Sequence, residues 1–306
     1  MAKRDFLRIL DFSREELHAV LQRAGEMKRL EKAGESTATL PGKTLVMMFE
    51  KSSTRTRVSF EVGIQQLGGR AVFLSAADSQ IGRSEPIQDT ARVLSRYADL
   101  LMIRTFAHET VRSLAEHATV PVINGLCDQH HPCQILADLL TIMERQPDLS
   151  GRKLAWLGDG NNMAHSWIEA AGRLGLHLEL AVPPGYEPDP AIVEEGRSAG
   201  GRIDVHHDPR AATDGADVVM TDVWTSMGQE SENEQRLAVF QPFQVNAELL
   251  ALAKQEAIVL HCLPAHRGEE ITEEVMEGRQ SAIFDQAENR LHAQKALMEF
   301  LIFQSR

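Results

Sequence analysis

Thr44-Leu45-Val46-Met47-Met48-Phe49-Glu50-Lys51-Ser52-Ser53-Thr54-Arg55-Thr56-Arg57 reads as a buried strand running into the start of a helix. The run Thr44–Phe49 follows the turn pair Pro41-Gly42 and is short, apolar and without alternation, as expected of a strand covered on both faces. Residues 54–67 read as a helix, and Gly68-Gly69 stops it. At such a helix start the first N–H groups lack partners and the dipole is positive. Ser53, Thr54, Arg55 and Thr56 would therefore surround an anion with amides, hydroxyls and a guanidinium that fits phosphate oxygens in pairs. The same letters also suit a helix merely capped by Ser or Thr with arginines on its surface. Their place directly after a buried strand favours the ligand. A P-loop is excluded, because its glycines are missing before Lys51, so no nucleoside triphosphate is implied.

Outward from this unit the alternation continues in both directions. Ser13 and Glu16 form a capping box for an opening helix, with Leu17, Val20, Leu21, Ala24, Met27 and Leu30 at helical spacing. Strands are expected near residues 71–74, at Leu100–Arg104 and near 120–123, with helical patterns at 87–97, 110–117 and 132–146. Turn residues at 147–151 make the best boundary in the chain. Beyond them the alternation restarts with strand Lys153–Leu157, a helix at 163–174, and strands at His177–Ala181, 203–206, Val218–Thr221 and Ile258–His261. A helical pattern at 288–303 closes the sequence. The expected fold is α/β, with two doubly wound parallel-sheet domains. Residues 1–147 form the first and 148–287 the second, with the C-terminal helix 288–306 packing back on the first.

The unusual polar residues follow predicted strands: residues 51–57, Gln80, Arg104, His131, Asn162, Asp222 and Cys262. Open parallel sheets bind ligands outside the carboxyl ends of their strands, so the expected active site is the cleft between the domains.

Composition narrows the class. A chain of 306 residues is about twice a usual single domain, which fits two domains. The net charge of -12 argues against a nucleic-acid or anionic-membrane partner, and 5% aromatics argue against a stacking surface. Any bound anion must be gripped locally. Three cysteines, Cys127, Cys133 and Cys262, are too few and too oddly spaced for a disulfide framework or a zinc pattern. The N-terminus carries no apolar run after its cations, and no stretch approaches membrane-spanning length, so the chain reads as cytoplasmic. Gly158-Asp159-Gly160 begins like a dinucleotide fingerprint, but Met163 stands at its third glycine position. The pairs His130-His131 and His206-His207 hint at metal, yet adjacent side chains diverge and no carboxylate spacing completes a site. Neither a metal nor a cofactor is expected.

Several ordered motifs then combine: residues 52–57, Ser79-Gln80-Ile81-Gly82-Arg83, His131-Pro132-Cys133-Gln134, Gly158-Asp159-Gly160-Asn161-Asn162, residues 222–228, His261-Cys262-Leu263-Pro264 and Ala287-Glu288-Asn289-Arg290. Together they resemble the carbamoyltransferase family along nearly the whole chain. The resemblance implies one domain for carbamoyl phosphate and one for an amino-acid acceptor, in a homotrimer or an assembly of trimers. It implies that Ser53, Thr54, Arg55, Thr56 and Arg57 hold the phosphate, with Gln80 supplied by a neighbouring subunit. Arg104, His131 and Gln134 would hold the carbamoyl group, and Cys262, Leu263 and Arg290 would complete the pocket. Asn162, Asp222, Ser226 and Met227 would hold the acceptor. Arg55, Arg104, His131 and Cys262 are the catalytic candidates.

The chemistry asks for these residue types independently. Attack on the carbamoyl carbon places negative charge on its oxygen, which cations and donors stabilise, and the amine must first lose a proton. Each residue also has an ordinary reading: His131 as a loop residue, Cys262 as a small buried hydrophobe, Asp222 as a turn cap. A dicarboxylate acceptor would need cations, yet residues 222–228 contain none, and residues 75–86 lack the lysine that the aspartate enzymes of this family use. Asp222 suits an α-ammonium group. The expectation is transfer from carbamoyl phosphate to the side-chain amine of L-ornithine, giving L-citrulline and phosphate in arginine metabolism. Putrescine, an acylated ornithine or aspartate as acceptor, and a silent anion-binding regulatory protein, stay open at this level.

Overall fold

The structure is a computed structural model that describes residues 3–75, 85–225 and 233–305. The chain divides into two compact units, Met1–Leu140 with Glu288–Arg306, and Thr141–Ala287.

The first unit carries a four-stranded sheet: β1 (Thr44–Phe49), β2 (Arg70–Ser75), β3 (Leu100–Arg104) and β4 (Val122–Leu126). The strands lie in the order β2-β1-β3-β4, all parallel. Every residue of β1 is buried, as its unbroken apolar run requires of a central strand. Val46, Met48, Leu101 and Ile103 pack with Ala91, Val111 and Leu114 on one face. These last three come from α3 (Ile87–Leu94) and α4 (His108–His117). The opening helix α1 (Arg14–Lys32) has the expected capping box: Ser13 Oγ accepts from Glu16 N at 3.2 Å, and Glu16 Oε2 accepts from Ser13 N at 2.8 Å. Helix α2 (Thr54–Gln66) returns from β1, and α5 (Pro132–Arg145) follows β4. The last strand begins and ends later than the pattern suggested, because the polar Asn124 is a strand residue. It is fully buried, and its Nδ2 donates to Leu7 O at 2.9 Å.

The second unit carries β5 (Lys153–Leu157), β6 (His177–Ala181), β7 (Arg202–His206), β8 (Val218–Thr221) and β9 (Ile258–His261). Their order is β7-β6-β5-β8-β9, again all parallel. Helix α6 (Asn162–Leu174) connects β5 to β6, and Asn161 caps it by accepting from Met163 N and Ala164 N. Short helices α7 (Pro190–Ser198), α8 (Pro209–Thr213), α9 (Asn233–Phe240), α10 (Ala247–Leu250) and α11 (Glu273–Met276) fill the later connections. The closing helix α12 (Ile283–Gln304) begins five residues before the expected 288. Its first turn is fixed by Gln286, whose buried Oε1 accepts from His261 N at 2.9 Å. Both sheets are doubly wound, as the alternation predicted. Among the described residues, no helix is long and apolar enough to cross a membrane.

Strand order places the chemistry. In each sheet the winding reverses beside the first strand, between β1 and β3 and between β5 and β8, and such reversals open a crevice at the carboxyl ends. Phe49 is in register with Arg104, and Glu50 N donates to Arg104 O at 2.8 Å, so residues 51–57 and Arg104 leave the first sheet side by side. Leu157 is in register with Thr221, and Thr221 with His261. Residues 158–162, Asp222 and Cys262 therefore leave the second sheet together.

Candidate active site

In the first unit, α2 begins with Ser53 as its cap, the Ser53 hydroxyl accepting from Thr56 N at 3.2 Å and donating to Thr56 Oγ1 at 3.1 Å. No acidic residue stands in the first turn, so nothing there offsets the positive helix end. Buried Arg290, from α12, donates to Gln134 Oε1 at 2.7 Å and to Thr56 Oγ1 at 3.3 Å. With the Gln294 amide turned so that its oxygen meets donors, that oxygen accepts from Arg290 Nη2 at 2.9 Å and Nε at 3.1 Å. Gln134 in turn donates to buried Asp138 at 2.8 Å. A rigid guanidinium thus ties the starts of α2 and α5 to α12.

His131 precedes α5 and is buried. Burial first, then the charges of Arg290, Arg104 and Arg55, hold its pKa well below the usual imidazole range. The ring is neutral at pH 7 and offers one N–H donor. The positive charges acting on this buried imidazole favour a bound anion beside it. The register between β3 and β4 slips by one residue between Ile103 and Arg104, and Gly125 is the extra residue. A Cβ there would lie 2.6 Å from Met102 Sδ and 3.2 Å from Ile103 O, so any larger residue at this irregularity has to displace the Met102 side chain. Cys133 is buried too, and burial pushes its thiol up to about 12, which leaves it inert.

In the second unit, Asp222 is the centre. Its Oδ1 accepts from Cys262 Sγ at 3.0 Å and from Val223 N at 2.8 Å, and its Oδ2 accepts from Asn161 Nδ2 at 3.0 Å. Every bond orients the carboxylate. Next to Cys262, fully buried His261 accepts from Leu263 N on Nδ1 at 2.9 Å, which puts its proton on Nε2, 3.0 Å from Glu270 Oε1. Leu263 sits at φ 60, a left-handed conformation that costs a branched residue about 1–2 kcal/mol. The strain falls where the chain leaves β9 into the site. Asp159, ion-paired to buried Arg236, is pushed up to about 6 by burial and by Asp222 against the pull of Arg236. Asp222, His261 and Cys262 offer ligand atoms within 4.8 Å of one another, but both nitrogens of His261 are already engaged.

The structure brings together, in the first unit, Ser53, Thr56, Gln134 and Arg290 by hydrogen bonds, and Arg55, Arg104 and His131 by charge. Thr54 is the exposed first residue of α2. Arg57 goes elsewhere: its guanidinium stacks 3.8 Å from the Phe73 ring centroid and pairs with Glu61 at 3.4 Å. In the second unit it gathers Asp222 and Cys262, with Leu263 beside them, and Asn162 opens α6. Gln80, Ser226 and Met227 lie outside the described residues. Asn161, which the sequence reading did not single out, bonds Asp222. The sequence reading also passed over Glu270 and Arg236. A buried carboxylate or guanidinium has no periodic signal, although His261 directly before Cys262 was a cue to seek a partner.

The comparisons with known proteins follow the same division. Residues 4–144 match the domain described as aspartate/ornithine carbamoyltransferase, carbamoyl-P binding domain, and residues 150–301 match the Asp/Orn binding domain of the same family. The chain is 56% identical over 303 residues to an ornithine carbamoyltransferase of Carboxydothermus hydrogenoformans, covering 98% of this chain and 97% of that one. It is 58% identical over 303 residues to one of Anoxybacillus flavithermus, covering 98% and 96%. The solved ornithine carbamoyltransferase of Pyrococcus furiosus superposes with a TM-score of 0.93 at 50% identity, covering 97% of this chain and 96% of that one.

Proposed function

The chain belongs to the aspartate/ornithine carbamoyltransferase family, and from that membership we infer that it transfers the carbamoyl group of carbamoyl phosphate to the side-chain amine of L-ornithine, releasing L-citrulline and phosphate. The observation that supports the donor half is the start of α2, capped by Ser53 with no acidic residue in its first turn and with buried Arg290 bonded to Thr56 and Gln134. Ser53, Thr54, Arg55 and Thr56 hold the phosphate, while Arg57 is engaged with Phe73 and Glu61. Arg104, His131 and Gln134 hold the carbamoyl group, and Arg290 keeps Gln134 and Thr56 in place.

The amine nitrogen attacks the carbamoyl carbon, the bond to the phosphate oxygen breaks, and phosphate leaves with the electron pair. Arg104 and the His131 N–H stabilise the charge that grows on the carbamoyl oxygen, and Arg55 stabilises the leaving phosphate. A side-chain amine has an ordinary pKa of about 10.4, so it reaches the carbon only after losing a proton. Asp222 takes the α-ammonium of ornithine, and Cys262, bonded to Asp222 at 3.0 Å, stands on the amine side to assist that proton's departure. Leu263 completes the carbamoyl phosphate pocket, and Asn162, Ser226 and Met227 complete the acceptor side. A diamine lacks the α-ammonium group and an acylated ornithine has a neutral α-nitrogen, so neither matches Asp222.

A homotrimer, with Gln80 reaching a neighbouring subunit's site, is the assembly proposed, and a cytoplasmic location accompanies it. Sedimentation equilibrium should give the mass of three chains or a multiple of three. The activity itself is checked by mixing purified protein with carbamoyl phosphate and ornithine: citrulline and phosphate should appear in equal amounts, and absence of both removes the enzyme reading.

A further inference from the structure

The fold assembles a cluster of ligating side chains that neither histidine pair in the sequence announced. Strands β6 and β7 are neighbours at one edge of the second sheet, with Glu179 in register with Asp204 and Ala181 with His206. The two-residue period sets His177 and Glu179 on one face of β6, and Asp204 and His206 on one face of β7. His177 Nε2 lies 2.9 Å from Glu179 Oε1 and 3.5 Å from Asp204 Oδ2, and the three ligand atoms all lie within 4.8 Å of one another. An ion bound tetrahedrally at ordinary zinc distances separates its ligand atoms by about 3.3 Å. The two measured separations fall on either side of that value.

The other oxygen of Glu179 is already fixed. His206 Nδ1 accepts from Asp208 N at 3.3 Å, so the His206 proton sits on Nε2, 2.9 Å from Glu179 Oε2. Ligating carboxylates are themselves held by outer hydrogen bonds, the part His206 plays for Glu179. Glu179 is 14% exposed and His177 20%, close enough to solvent for an ion to enter and dry enough to favour its retention. Arg202, whose Nε is 3.2 Å from Asp204 Oδ2, is itself 70% exposed and can swing aside.

We propose that His177, Glu179 and Asp204, with His206 holding Glu179, form a binding site for a divalent transition-metal ion of the zinc class. The two carboxylates balance the ionic charge, His177 binds through Nε2 with its proton on Nδ1, and water completes the coordination. The ion ties β6 to β7 across the sheet edge. It takes no part in carbamoyl transfer.

The test is titration of the full chain with Co²⁺ in a Cys262→Ala background, so that the thiol beside Asp222 does not compete, read by visible absorption and equilibrium dialysis. One saturating ion per chain is expected, with no thiolate charge-transfer band, and Zn²⁺ should displace it. His177→Ala and Asp204→Asn should each weaken binding at least about tenfold, and His206→Ala by about 10–100-fold. His207→Ala, on the exposed neighbour, should leave it unchanged. Absence of bound Co²⁺ in the parent, or binding that His177→Ala and Asp204→Asn both leave intact, overturns the proposal. The parent measurement needs no variant at the sheet edge, so a misfolded variant leaves the question answerable.

Discussion

His131 illustrates how burial sets a chemical role. An exposed imidazole titrates near neutrality, but here burial and the charges of Arg290, Arg104 and Arg55 suppress the imidazolium, leaving a neutral donor at the pH of function. The three arginines are not equivalent. In the proposed site Arg55 is the one that meets the phosphate, and Arg55→Ala should lower kcat/KM by about 10²–10³, the loss expected for one preorganised donor; near-normal steady-state turnover would remove Arg55 from the site. Arg290 is bonded to Gln134 and Thr56 at once. A lysine cannot reproduce that fork, so Arg290→Lys should raise KM for carbamoyl phosphate. An unchanged KM in initial-rate measurements would show that the fork does no positioning. At this scale the sequence points to residues whose type the chemistry demands, as with Arg55, Arg104, His131, Asp222 and Cys262, and the structure bonds two of them, Asp222 and Cys262, to each other. The sequence is silent about which neighbour makes a given bond. Asn161 both caps α6 and donates to Asp222, and neither bond can be read from the letters around it.

At the scale of elements, what was legible depended on length. The strands with unbroken apolar runs and the helices with several turns of periodicity were readable, and α1 even announced its cap through Ser13 and Glu16. Helices α7 and α8 are too short to display a period, yet Asp189-Pro190 and Asp208-Pro209 each carry a capping aspartate followed by proline at the first helical position. Gly158-Asp159-Gly160 shows the opposite case, a motif whose letters suggested a dinucleotide while its geometry answers to packing. A Cβ on Gly160 would lie 2.3 Å from Pro188 N and 2.6 Å from Tyr186 O, so the glycine is required by the approach of residues 186–188. Gly160→Ala should therefore cost at least the 1–3 kcal/mol typical of overpacking, because backbone must move. Thermal unfolding checks this, and a Tm equal to that of the parent would contradict the packing account.

Across the whole molecule, two parallel sheets with a winding reversal in each put polar residues from distant parts of the sequence at shared crevices. The sequence pattern led to the sheets but not to their strand order, and the order is what sets Cys262 beside Asp222. Global stability should carry the mark of buried histidines. Burial, with Lys295 nearby, lowers His292 to about 4, and burial lowers His108 and His131 as well. A group with a folded pKa below its unfolded value contributes stability that is fully present above the unfolded value, about 6.5, and is lost as pH falls through the folded one. The Tm should therefore decline as pH is lowered from 6.5 towards 4, and His292→Leu should make that decline shallower. Parallel pH profiles for parent and variant would contradict the assignment.

The most direct measurement compares acceptors at fixed carbamoyl phosphate, because the donor half serves every carbamoyl transfer and only the Asp222 side chooses the amine. Initial rates of ureido-product formation with L-ornithine, putrescine, N-acetylornithine and L-aspartate should give ornithine the highest kcat/KM, and Asp222→Asn should reduce its lead over putrescine. A higher kcat/KM for any of the other three would contradict ornithine as the acceptor.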